Sequence, residues 1–100
     1  MKIVYIDGEK LESAGEIYGA FRDALPEAEL YGDNLDALYD ALSVLRVDIG
    51  IILVNTDAIR STPGVRWHGL VRMLEDLTDE RDNIRVLIDP FETDDALIDF

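Results

Sequence analysis

Three aspartates, Asp33, Asp36 and Asp40, share the stretch LYGDNLDALYDALS (residues 30–43), and no lysine or arginine stands between Arg22 and Arg46. Carboxylates gathered in this way can serve as general acid and base, hold a hard cation, or present negative charge to a basic partner. Their spacing separates these uses. On a helical wheel of about 100° per residue, Leu35, Leu38, Leu42 and Leu45 fall within about 80° of one another, and the three aspartates within about 60° on nearly the opposite side. Tyr39 lies between the two groups, on the shoulder toward Asp36. The leucines form a core stripe and the acids face solvent or a partner. Asp36 and Asp40 are an i,i+4 like-charge pair, which costs a few tenths of a kcal/mol, roughly, in an isolated helix. Asp33 near the N-terminus is favoured by the helix dipole, whereas Asp40 is too far along to benefit. A local conflict of this kind points toward function, against the plainer reading of a solvated helix face.

The enzymatic uses fit poorly. A glycosidase-type carboxylate pair works in a cleft, not on the outer face of a short helix. The Asp33-Asn34-Leu35-Asp36 spacing does not match a calcium loop, whose ligands alternate and include a glycine. The chain has no glycine-rich phosphate loop and no cysteine, so thiol nucleophiles, disulfides and thiolate metal sites are excluded. The single histidine, His68, has no evident nucleophile or metal partner and reads as partly packed. Its neighbour Trp67 reads as a packing residue, with an interface anchor as the alternative. Neither cofactor, metal nor enzymatic activity is expected.

The elements that must position the acidic stretch can be read from pattern. KIVYID (2–7), closed by Asp7-Gly8, reads as a strand and turn. Ser13 and Glu16 have capping-box spacing, and Ile17, Ala20, Phe21 and Ala24 give a helical stripe ending near Leu25-Pro26. Residues 26–32 read as a loop, and Asp33 or Asn34 can cap a second helix through about Leu45. IGIILVN (49–55) is a nearly continuous apolar run, as in a strand covered on both faces. TDAIRSTPG is a connector with room for one helical turn. Val65 to about Arg81 reads as an amphipathic helix with Leu70, Met73, Leu74 and Leu77 inward. NIRVLID (83–89) reads as a third strand, stopped by Pro90. Alternating strands and helices predict an α/β fold with a small parallel sheet and right-handed crossovers.

The chain has 100 residues, enough for one domain with its own core. The expected division is a domain over residues 1–90 and an acidic C-terminal tail over 91–100. The opening apolar run is too short for a signal peptide and no run reaches membrane-spanning length, so a cytoplasmic protein is expected. A formal net charge of −13 disfavours nucleic acid and anionic membranes and favours a basic protein partner. Composition alone leaves salt adaptation as a second source of the acidity.

YGDNLDALYDAL closely resembles the second-helix signature of the barstar family, intracellular inhibitors of secreted barnase-type ribonucleases. Tyr31, Gly32, Asn34, Leu35, Asp36, Ala37, Leu38 and Asp40 match the family pattern, and Tyr39 stands where the family has tryptophan or tyrosine. The order of strands and helices agrees along the chain, although residues 46–68 do not match one by one. The resemblance implies a three-stranded parallel sheet packed with about four helices. It also implies a one-to-one complex with a basic nuclease, whose phosphate pocket the acidic helix would fill, and a free protein that is a monomer. By position, Asp40 corresponds to the aspartate entering that pocket and Asp36 to the acid one turn earlier. Asp76 and Glu80, themselves i,i+4, correspond by spacing to two acidic contacts on the later helix. Asp33, Tyr39 and Leu30 complete the expected partner-binding set. Leu30 replaces an aromatic that covers the nuclease's catalytic histidine, and Leu45 replaces a tryptophan. These departures leave the phosphate-mimicking centre in place and alter its rim, so the target need not be barnase. The alternative is an adaptor of the same fold that binds a basic protein other than a nuclease.

Overall fold

A computed structural model describes residues 1–89, and the tail expected over 91–100 lies outside the described residues. Strands β1 (Lys2–Asp7), β2 (Ile49–Val54) and β3 (Ile84–Ile88) form a parallel sheet in the order β1-β2-β3. Helices α1 (Gly15–Ala24) and α2 (Leu35–Ser43) lie between β1 and β2, and α3 (Thr56–Ser61) and α4 (Trp67–Glu80) between β2 and β3. A 3-10 turn at Gly8–Lys10 follows β1. The expected α/β fold with three parallel strands and four helices is the one observed.

The strand order explains where the core sits. Two successive crossovers in the same direction, both right-handed, place their helices on the same face of a sheet. Val4, Ile6, Ile49, Ile51, Leu53 and Ile84 are buried, and the core continues into Phe21, Leu25, Leu38, Leu42, Leu70, Leu74 and Leu77 of the helical layer. On the opposite face Ile3, Tyr5 and Leu87 are exposed. The register sets Tyr5 beside Ile52 and Ile52 beside Leu87 in one row. This qualifies the expectation that the central strand is covered on both faces. β2 is buried almost throughout, yet at Gly50 the outer cover comes from the side chains of Ile3 and Met1.

Several element ends differ from the pattern reading for identifiable reasons. The Ser13–Glu16 capping box does not form, since neither side chain bonds the backbone N–H of the other residue. The Glu16 carboxylate accepts from the Glu12 backbone N–H at 2.9 Å, but the helix starts from Ala14 without a side-chain cap. The connector after β2 is a full helix, α3, because its first residue is tied across the sheet. The Thr56 N–H and hydroxyl both donate to the Asp89 carboxylate just beyond β3. Asn55 and Asp89 take left-handed backbone conformations at these strand ends, where short polar side chains are tolerated. Gly8 is required at the end of β1, since a Cβ there would lie 2.2 Å from the Asn55 carbonyl oxygen.

Candidate functional site

α2 is the scaffold of the acidic surface. Asn34, rather than Asp33, caps it: its Oδ1 accepts from the Ala37 N–H at 2.8 Å. Asn34→Ala is expected to lower stability by about 1 kcal/mol, read as a lower urea midpoint at unchanged slope. Leu38, Ala41 and Leu42 are buried beneath the helix, while Asp36 and Asp40 are exposed. α2 packs against α4, and the approach is close at Gly69, where a Cβ would fall 2.9 Å from Leu35 Cδ1.

This packing brings the two acidic helices together at Tyr39. The phenol O–H donates to the Glu80 carboxylate of α4. That hydrogen bond pushes the phenol above its ordinary range, followed by burial and then by the carboxylates of Glu80, Asp76 and Asp40. The phenol therefore stays protonated and remains a donor. Asp40, Asp76 and Glu80, distant in sequence, are thus neighbours around one ring. All three are exposed. Of the expected set, Asp40, Tyr39, Asp76 and Glu80 converge, and Asp36 lies one turn earlier on the same exposed face.

Asp33 and Leu30 are placed differently. Asp33 forms an ion pair with Arg22 of α1, so its charge is already matched within the chain. Leu30 is 5% exposed and belongs to the core, which leaves its side chain unavailable to a partner. Leu45 is likewise in the core. Its carbonyl accepts from Arg81 and Asn83, and Asn83 also reaches the Val47 carbonyl. These bonds fasten the segment after α2 to the turn between α4 and β3. Trp67 packs against the core, and the Arg60 guanidinium lies 5.5 Å from the centroid of its ring.

A cavity of about 600 Å³ opens between the N-terminal ends of α1, α2 and α4, with Tyr18, Asp33, Asp36 and Arg66 in its wall. Asp40, Asp76 and Glu80 do not line it. Among the described residues no group of three or more acidic or histidine side chains is arranged to hold a metal ion, and no helix is long and apolar enough to cross a membrane. The carboxylates around Tyr39 form an outward acidic face held by two packed helices, suited to meeting positive charge on another molecule.

The model of the family described as barstar (barnase inhibitor) matches residues 1–89, which are also the residues that build the sheet, the four helices and this face. The chain belongs to the barstar family.

Proposed function

We propose that the protein is a non-enzymatic inhibitor of the immunity type, acting in the cytoplasm on a basic ribonuclease or related nuclease. In this reading a free monomer seals the nuclease's phosphate-binding active site in a one-to-one complex. The observation that carries it is the convergence of Asp40, Asp76 and Glu80 around Tyr39 on an exposed, two-helix face. Such carboxylates can take the place of substrate phosphates, accepting charge-assisted hydrogen bonds from arginine, lysine or protonated histidine. The rigid helix supplies them already oriented, which lowers the entropy cost of binding. Membership of a family described as barnase inhibitors supports the same reading. Leu30 and Leu45, which stand where the family resemblance has aromatics, are both buried, which favours a target other than barnase itself.

Immobilised, catalytically disabled barnase-like ribonucleases should capture the protein, and active forms should lose activity on an equimolar addition. Association should slow steeply as salt rises, by on the order of tenfold or more between low and high ionic strength. Failure to capture or inhibit any basic nuclease, with capture of a basic protein that is not one, would replace the inhibitor by an adaptor.

A further inference from the structure

Parallel sheets occur almost only with both faces covered. Here the helices cover one face, and the other presents apolar side chains to water. The register lines up Tyr5, Ile52 and Leu87 as one row across the three strands, with Ile3 two residues before Tyr5 on the same face. Ile3, Tyr5 and Leu87 are 47%, 50% and 54% exposed, and Ile52 between them is half-buried. Exposed apolar residues scattered singly are ordinary, but here all three strands contribute to one contiguous patch. Arg85, two residues before Leu87, lies on the same face. It is exposed and makes no ion pair among the described residues.

We propose that the segment following β3, residues 90–100, is the second cover, and that it docks on this outer sheet face through Phe91, Leu97, Ile98 and Phe100. The place where the chain leaves the sheet favours this occupant. The Asp89 N–H donates to the Leu53 carbonyl at 2.8 Å, and its carboxylate accepts from Thr56. The exit is thereby pinned beside the row of Tyr5, Ile52 and Leu87. Asp89 has a φ of 48°, which ends the extended run, and Pro90 has no N–H to continue the ladder. Reach is sufficient. Strands lie about 4.8 Å apart and an extended chain advances about 3.3 Å per residue, so about four residues cross from β3 to β1. Charge agrees as well. The segment carries Glu92, Asp94, Asp95 and Asp99 without a lysine or arginine, which suits the patch that holds Arg85 and not the acidic helical side. A second copy is the poorer occupant, because two chains of net charge −13 repel. A tethered segment instead faces the patch at an effective concentration on the order of millimolar. The family match stops at residue 89, so this cover is an addition to the shared fold and does not depend on the inhibitor reading.

Methyl NMR of the full chain should show contacts from phenylalanine ring protons to the methyls of Ile3, Ile52 or Leu87. These contacts should persist on dilution, be absent between differently labelled copies in a mixed sample, and vanish in Phe91→Ser/Leu97→Ser/Phe100→Ser. In urea, that variant should have an unfolding constant about tenfold higher than the parent, from the apolar surface it leaves wet. Leu87→Ser should cost about the same, whereas a leucine facing only water would cost little. Combining the two sets should cost about as much as either alone, since both remove one contact. Absence of ring contacts to the outer-face methyls, or multiplicative losses in the combined variant, overturns the inference. Contacts found only between copies assign the face to a dimer and overturn it too. The acidic face lies across the sheet, so failure to capture a nuclease bears on the inhibitor reading alone.

Discussion

Replacing Asp40 by alanine is expected to weaken the proposed nuclease complex by about 2–5 kcal/mol, a range that barnase and barstar themselves helped to define. The free protein should melt at an unchanged temperature. Asp40 is exposed on the acidic face and, among the described residues, its carboxylate makes no hydrogen bond or ion pair; the nearby Ser43 hydroxyl donates to its backbone carbonyl. In the proposed complex the carboxylate would leave water for a basic pocket. Truncation then costs both the lost charge-assisted bonds and the unpaired cations left behind. The effect should appear mainly in dissociation, since the Tyr39-centred group retains Asp76 and Glu80 for steering. Calorimetry or surface-immobilised kinetics can read it. An Asp40→Ala complex as tight as the parent would remove α2 from the interface.

Leu38→Ala should produce the reverse pattern. Leu38 lies two residues before Asp40 but is fully buried under α2. Its truncation leaves a cavity between the helical layer and the sheet, with an expected loss of about 2–5 kcal/mol in folding stability. Urea unfolding should show a lower midpoint with a similar slope. Under conditions where the variant is still folded, affinity for the nuclease should fall far less than in Asp40→Ala, because every exposed carboxylate remains. The two substitutions would divide the same helix into a buried side that holds the fold and an exposed side proposed to meet a partner. Equal losses of affinity in both would mean that the inner and outer faces are not independent.

The helix periodicity alone made much of this site legible. The separation of leucines from aspartates on a wheel places Leu38 and Leu42 inward and Asp36 and Asp40 outward, as observed. The alternation of strands and helices likewise fixed the fold class, because parallel neighbours need crossovers. The loop before α2 was less legible. Loops have no period, so nothing in Leu30-Tyr31 says which side chain turns inward. Leu30 could be placed only by a family position, and its burial follows from a core that it helps to close. The Arg22–Asp33 pair was hidden for a related reason, since it joins α1 to a loop through tertiary approach rather than local spacing. The link from Tyr39 to Glu80 crosses from α2 to α4 and depends on how closely those helices pack. Both sequence and structure mark Asp76 and Glu80 as acidic, but only the packing sets them beside Tyr39.

The parallel register also bears on the order in which the molecule comes into being. β1 pairs with β2 at Lys2 and Ile49, and β2 pairs with β3 at Ile49 and Ile84. These are non-local contacts, whose loop-closure entropy is lost before the pairing rewards it, and such topologies fold slowly for their size. α2 is made early on the ribosome, whereas α4, which packs on it and supplies Asp76 and Glu80, is made only after β2 and α3. A nascent chain therefore carries the acids of α2 well before it carries the assembled face. If the protein is such an inhibitor, protection of a cell would be timed by arrival of its second acidic helix, not by synthesis of the first.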